Sequence, residues 1–540
     1  MLKQLSLQNF KAFGKNTVID LAPITLIFGA NSAGKSSILQ SLSLLKQTYE
    51  LGQGAAALLP RVEGNFVDLG SYHELIFDHD AKRKLKIGIT ATGPSREVSP
   101  FAGTVGSGLD IEFRRNARNG QVVISHLAIR MEGTKTPAAT FKIRRPKRDE
   151  LKQLRRYGYF GGLPGRARLA GKSSPEFVAE CTRVTADEEF WRPIYDEWYE
   201  RRTEVVDFLK EELQKVRDMP SDDSPFDGPE SHADNYASAI DFFSRRFGWK
   251  EYVERVALAN VGKTVFMDGL FPEPVRIPDM FSGLPELEML FLSRGEGRRF
   301  KRFFDACSLA YFTGRAVANA LEMMFPMGPY RRPPERWYIY TGTNPLDVGY
   351  KGDHLPDLLY QNDELVKKAN HWLKELEIGY KIRVKPVGDE DQSDLFELRL
   401  VDQNRDVEVA LSDVGFGISQ ILPFLVQSLS SEKRIISIEQ PEVHIHPRLQ
   451  ADLGNLIAEG IRKPHNHQYL IETHSEHLIL RIQKLIRNKQ SDLRPEDVSV
   501  LYVSREESGS EVTRLRLDEN GDFIDEWPGG FFAERLEELI

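Results

Sequence analysis

Hydrophobic and polar positions along the chain sort into a few sharply patterned segments. Leu2-Lys3-Gln4-Leu5-Ser6-Leu7, leading into Phe10, alternates as a half-buried strand does, while Ile24 to Phe28 is the continuous apolar run that a fully buried strand needs. Ile38, Leu39, Leu42 and Leu45 then recur at helical spacing and predict a helix that ends near Tyr49. Later in the chain, Ile421, Leu422, Phe424 and Leu425 mark an apolar helix. Ile435 to Ile438 and Tyr469 to Ile471 are short apolar strands that end in polar residues, and Pro447 opens a helix bearing Leu449, Leu453 and Leu456. A strand from Val498 to Val503 and a turn from Asp518 to Asp525 follow. Strands and helices in this alternation predict an α/β fold.

The middle of the chain breaks this pattern. Thr92 to Gly108, rich in Gly, Pro and Ser, reads as a boundary. Beyond it come a strand-like opening from Leu109, a basic stretch, and acidic aromatic helices around Phe190-Trp191 and Trp198-Tyr199, broken by a loop from Asp218 to Ser231. Helical patterning from Pro285 to Met324 ends at Phe325-Pro326-Met327-Gly328-Pro329, after which extended and helical segments resume. The expected organisation is therefore residues 1–91, an inserted and mainly helical region 92–327, and residues 328–540. There is no internal repeat and no sustained heptad, so an inserted arm would be compact.

Composition narrows the class. At 540 residues the chain can bury a large core, and its net charge of −8 gives no global nucleic-acid signature. No apolar run approaches the roughly 18 residues of a membrane span, so no membrane partner is expected. The first residues lack a signal-peptide core, and the two cysteines, Cys181 and Cys307, suit neither a disulfide framework nor a thiolate metal cage. A cytoplasmic protein is expected.

The loop after the Ile24–Phe28 run carries the chemistry. Gly29-Ala30-Asn31-Ser32-Ala33-Gly34-Lys35-Ser36-Ser37 follows the GxxxxGK[ST] pattern, in which backbone N–H groups wrap the phosphates of a nucleotide. Lys35 would reach the β and γ oxygens and Ser36 would hold Mg²⁺, while the following helix aims its positive end at the anion. ATP with Mg²⁺ is the expected ligand. Two later segments fit beside this loop. Leu411-Ser412-Asp413-Val414-Gly415-Phe416-Gly417 places small residues before a helix, a weak signal alone. Ile435-Ile436-Ser437-Ile438-Glu439-Gln440-Pro441-Glu442 is an apolar strand ending in carboxylates, a Walker B candidate, and Tyr469-Leu470-Ile471-Glu472-Thr473-His474-Ser475 repeats the form with a histidine.

The P-loop, the Ser-Gly segment, the Walker B strand and the Thr-His-Ser loop, in this order, resemble the ABC-type ATPases of the SMC, RecF and OLD kind. Within that group the chain looks most like the OLD-like AAA ATPases of prokaryotic antiviral defence. The likeness includes Gly328-Pro329-Tyr330-Arg331-Arg332-Pro333-Pro334, Glu439 through Pro447, and Trp527-Pro528-Gly529-Gly530-Phe531-Phe532. The resemblance implies one ATPase head built from both chain ends and a homodimer of heads that sandwiches ATP. Ser412, Gly415 and Gly417 of one copy would then face the phosphate loop of the other, Glu439 would hold the Mg²⁺ shell, and His474 would sense the γ-phosphate. Asp68 to Tyr72 lie near the family's Q-loop position but contain no glutamine. Where many relatives carry a second carboxylate, this chain has Gln440; an amide positions water but accepts no proton, so hydrolysis should be slow, with Glu442 two residues on as another candidate.

Other features leave alternatives open. Glu442, His444 and His446 read either as metal ligands or as residues shaping the loop before the Pro447 helix, and Phe10 and Phe13 either stack on adenine or belong to the core. Between Lys142 and Lys172, nine Arg and Lys residues (Arg144, Arg145, Lys147, Arg148, Lys152, Arg155, Arg156, Arg166 and Arg168) with Tyr157, Tyr159 and Phe160 stand against Asp149 and Glu150. This stretch would bind nucleic acid, dock an acidic partner, or form a solvated loop. After the last ATPase loop the tail offers no acidic DxD pattern of the Toprim nuclease domain that OLD nucleases carry. A separate effector such as an HNH nuclease is therefore expected, as with the PtuA-like ATPases of Septu and related retron systems. The reading is a slow ATPase acting as a nucleotide-gated dimeric scaffold in defence; the alternatives are a DNA-repair or DNA-processing clamp and a catalytically weak ATP-binding platform.

Overall fold

The computed structural model describes residues 1–51, 58–62, 66–92, 107–116, 120–131, 137, 139–145, 147–148, 178–184, 188–218, 237, 240–241, 244, 264–268, 270–276, 309–388, 394–430, 433–488 and 492–528. The chain divides into two compact units, one of Met1–Glu50, Leu59–Ile87 and Ala320–Ile540, the other of Leu51–Leu58 and Gly88–Asn319.

The first unit opens with β1 (Leu2–Gln8) and β2 (Thr17–Asp20), an antiparallel pair with Gln4 opposite Asp20. β3 (Ile24–Gly29), buried throughout, runs into α1 (Lys35–Leu51). A capping box between Ser71 and Glu74 starts the short α2 (Tyr72–Leu75), and β4 (Leu85–Ala91) begins in the first unit and ends in the second.

The second unit is, among its described residues, an antiparallel meander with one long helix. β5 (Ser107–Arg115), β6 (Val122–Met131), β7 (Ala139–Arg144) and β8 (Val178–Val184) pair in sequence, α3 (Glu188–Arg217) follows, and β9 (Thr264–Asp268) and β10 (Phe271–Arg276) extend the sheet beyond β8. Leu109, Ile111 and Phe113 of β5 bury alternate positions, and the buried Asp110 pairs with Arg130 on β6. α4 (Leu309–Glu322) leads back to the first unit. Of the basic stretch, Lys142, Arg144, Arg145, Lys147 and Arg148 are described. Arg144 is held by Glu180 on β8, Nε to Oε2 2.6 Å, whereas Lys142, Arg145, Lys147 and Arg148 are exposed. Lys152, Arg155, Arg156, Tyr157, Tyr159, Phe160, Arg166 and Arg168 lie outside the described residues.

Back in the first unit come β11 (Met324–Met327), β12 (Tyr338–Ile339), α5 (Leu355–Gln361), α6 (Asp363–Glu375), β13 (Tyr380–Pro386), β14 (Leu395–Asp402), β15 (Glu408–Ala410) and α7 (Phe416–Ser430). They are followed by β16 (Ile435–Glu439), α8 (Pro447–Gly460), β17 (Gln468–Glu472), α9 (Glu476–Arg487), β18 (Val498–Glu506) and β19 (Gly509–Leu515). A six-stranded sheet has the order β11-β16-β17-β3-β18-β19, parallel except for the last pair. β3 from the first residues thus lies between β17 and β18 from the last hundred, and one α/β head is built from both chain ends with a middle region inserted. Ile24, Leu26, Phe28, Ile436, Ile438, Tyr469 and Ile471 form its core with Phe424 and Leu425 of α7 and Leu453 and Leu456 of α8. β11 differs from the expected helix end: Met324–Met327 is a strand. It holds the edge of the sheet, where the missing N–H of Pro326 is tolerated.

Candidate nucleotide-binding site

The loop from Ala30 to Gly34 joins the central strand β3 to α1. Its two ends need glycine: Gly29 has φ +143° and a Cβ there would lie 2.2 Å from the Val503 carbonyl oxygen, while Gly34 has φ +101° and a Cβ would lie 2.6 Å from Ser510 Oγ. β19 braces the loop, because Ser510 Oγ donates to the Ala33 carbonyl at 2.6 Å and Ser510 N–H donates to Ala12 O at 2.7 Å. Lys35, 4% exposed, curls back so that Nζ donates to Gly29 O at 3.1 Å and Ala30 O at 2.8 Å. Burial lowers its pKa, and the carboxylates of Glu472 and Glu442 work against that shift. The first amides of α1 have no acceptor further back in the helix, a feature that suits an anion.

A cleft of about 380 Å³ opens at this loop, lined by Asn31, Ser32, Gly34, Lys35, Ser36 and Ser37, together with Lys11, Ala12, Gln40, Gln440 and Glu472. Lys11 sits at φ +47° in the turn after β1 and donates from Nζ to Gln40 Oε1 at 2.7 Å. Burial lowers its pKa while Glu439 raises it.

Carboxylates enter from the ends of β16 and β17. Glu439 and Glu472 are register partners on these parallel strands. Glu439 is pushed up to about 7, first by burial and then by the charge of Glu472, with Lys11 and Arg331 opposing. Burial also raises Glu472; a hydrogen bond from Ser36 and the charge of Lys35 oppose it, and its Oε2 is buried with no hydrogen-bond partner. Gln440 leaves the strand at φ +47°, its N–H on Glu472 O at 2.8 Å, and lines the cleft. Glu442 is held on both oxygens, accepting from Thr473 Oγ at 2.9 Å and from His474 N–H at 2.6 Å. The pKa of His474 is lowered by burial and then by Lys35. Behind the carboxylates lies Arg331, 7% exposed, which donates to Gly328 O, while its Nε has no partner. Burial lowers it to about 10, against the pull of Tyr350, Glu439 and Glu442.

Ser412, Gly415 and Gly417 do not line the cleft. Ser412 and Gly415 are exposed, a Cβ on Gly415 would meet nothing within 4 Å, and the neighbouring Asp413 is held bidentately by Arg336 at 2.7 and 3.0 Å. Phe10 and Phe13 are fully buried in the core. His446 accepts the Arg448 N–H at 3.3 Å and caps α8, and among the described residues no group of three or more His, Cys, Asp or Glu converges as a metal cage. Asp68 pairs with Arg61 at 3.3 Å and accepts the Gly70 N–H at 3.0 Å, outside the cleft lining.

The residues present fit Mg²⁺, a hard cation held by one or two carboxylates together with phosphate oxygens: two adjacent carboxylates, one with an orphaned buried oxygen, stand beside a loop hydroxyl. Ser36 and Glu439 would hold it, and the ion would neutralise charge on a bound phosphate. Sequence reasoning missed Lys11, Gln40, Glu472 and Arg331. Glu472 had a signal, the acid ending the Tyr469–Ile471 strand; Lys11 and Gln40 had none.

Residues 1–97 and 354–479 match the AAA ATPase domain family. The match is divided between the two ends of the chain. Residues 493–539 match a protein family of unknown function, DUF3696. Among solved structures the chain is similar to the Smc head domain of Pyrococcus furiosus with an extended coiled coil bound to the C-terminal domain of ScpA, at 14% identity over 100% of this chain and 99% of that one, TM-score 0.38. It is similar to the SMC head domain from Thermotoga maritima at 9% identity over 96% and 99%, TM-score 0.34. The Smc head domain with a coiled coil and joint from Pyrococcus yayanosii gives 14% identity over 100% and 99%, TM-score 0.36. No curated protein matches the sequence. Among the described residues no helix is long and apolar enough to cross a membrane.

Proposed function

We propose that this protein is an ABC-type ATPase that binds ATP with Mg²⁺ in the cleft, hydrolyses it slowly, and acts in the cytoplasm as a nucleotide-gated dimeric scaffold for antiviral defence with a separate effector such as an HNH nuclease. The observation that carries slow turnover is Gln440, an amide where a proton acceptor is needed. Glu442 does not replace it, since both its oxygens are taken by Thr473 and His474. Gln440 orients water, His474 lies within the field of Lys35 to sense the γ-phosphate, and Lys35 and the loop amides bind the phosphates. The exposed Ser412 and the open space around Gly415 support a second copy meeting this face over bound nucleotide. The defence assignment is supported by the motifs Gly328–Pro334 and Glu439–Pro447. The exposed Lys142, Arg145, Lys147 and Arg148 favour contact of the inserted region with nucleic-acid backbone.

Light scattering of the full chain with and without ATP tests the gate. ATP and Mg²⁺ should bring the mass to twice the 61.6 kDa of one chain, and Ser412→Arg should keep ATP binding and lose the dimer. A mass that ignores ATP contradicts the gating.

A further inference from the structure

We propose that Glu472 is a third protein group on the divalent cation, so that the metal seat of this cleft is Ser36, Glu439 and Glu472. This rests on the reading of the cleft as an ATP site.

Glu439 and Glu472 are directly paired residues on neighbouring parallel strands, so their side chains leave the sheet on the same side. Both end their strands at the carboxyl edge, where the P-loop delivers Ser36 and Lys35. Glu472 is 3% exposed and lines the cleft. One of its oxygens, Oε2, meets no donor, and a buried carboxylate oxygen left unpaired is costly. The cation whose charge acts on Glu472 does not relieve this oxygen, because Lys35 Nζ donates to Gly29 O and Ala30 O. Nor do the other acids resemble it: Glu442 is satisfied on both oxygens by Thr473 and His474. Two like charges side by side, one with a spare oxygen and the other beside Lys11 and Arg331, are stable together when a divalent ion lies between them. Ser36 already contacts Glu472, so loop hydroxyl and carboxylate share one locus. Mg²⁺ suits a set of hard oxygens completed by phosphate.

The test measures binding of a fluorescent ATP analogue to the full chain, first in EDTA and then along a Mg²⁺ series, for wild type, Glu472→Gln and Glu472→Cys. Wild type should bind in EDTA and tighten with Mg²⁺. Glu472→Gln should keep the EDTA affinity and need about tenfold more Mg²⁺ to reach the same tightening. Glu472→Cys should lose the response to Mg²⁺ and recover it with Cd²⁺, a softer ion that thiolate prefers; it decides the matter alone if the glutamine variant does not fold. An unchanged Mg²⁺ midpoint in Glu472→Gln, or a cysteine variant with the metal preference of wild type, overturns the proposal while leaving the ATP site standing. Failure of the wild type to bind the analogue with or without Mg²⁺ overturns both.

Discussion

Gln440 and Glu442 stand two positions apart and do different work. Gln440 turns out of β16 at φ +47° into the cleft, while Glu442 faces the loop after β17 and ties it down with two hydrogen bonds. Gln440→Glu places a proton acceptor in the cleft, and steady-state phosphate release should rise about 10²-fold; an unchanged rate would mean that the site does not use this position for the base. Glu442→Ala strands the Thr473 hydroxyl and the His474 N–H, costing about 1–3 kcal/mol, which urea denaturation would read as a lower midpoint. The P-loop was legible at this scale because every residue of GxxxxGK[ST] lies within one short segment. Lys11 was not, because it reaches the cleft through the turn after β1, where Ser510 of β19 donates to the neighbouring Ala12 O.

Among the elements, sheet order made the site. β16 and β17 were readable as apolar runs ending in acids, but that Glu439 and Glu472 stand side by side follows from the pairing of two strands about thirty residues apart. β11 was unreadable as a strand because Pro326 argues against a strand wherever both edges must pair, and only the sheet order places it at an edge. The β9–β10 pair was also missed, since its runs are short and Pro272 and Pro274 interrupt the strand pattern of β10. At the entry to β17, His467 is fully buried between α7 and β16. Its Nδ1 accepts the Arg434 N–H at 3.1 Å, so it is neutral, with Nε2–H donating to Ser428 O at 3.0 Å. Burial lowers its pKa to about 4, and a second ring proton would confront the Arg434 N–H. The unfolded chain therefore takes up the proton first as pH falls from about 6.5 to about 4. The sign is a loss of stability on acidification over that window, about 3 kcal/mol from this group. Unfolding free energies at pH 7 and pH 4.5 would show it, and His467→Gln should flatten that part of the profile.

For the whole molecule, the charge carried by the inserted region is the open surface feature. Arg144 is paired with Glu180, and of the exposed Lys142, Arg145, Lys147 and Arg148 the last three follow the end of β7. Replacing these three with Ser should weaken nucleic-acid binding to all sequences alike and flatten its salt dependence by about one unit of slope for each phosphate no longer neutralised. Unchanged affinity with loss of a co-purifying protein would assign the surface to a protein partner. Either way ATP binding should persist, because the phosphate loop belongs to the other unit. Nucleotide binding by that loop is tested by calorimetric titration of ATP with Mg²⁺ into wild type and Lys35→Ala. Wild type should show one saturable site per chain, lost in a Lys35→Ala protein that still melts cooperatively; equal affinity in both would mean that this loop does not bind the phosphates.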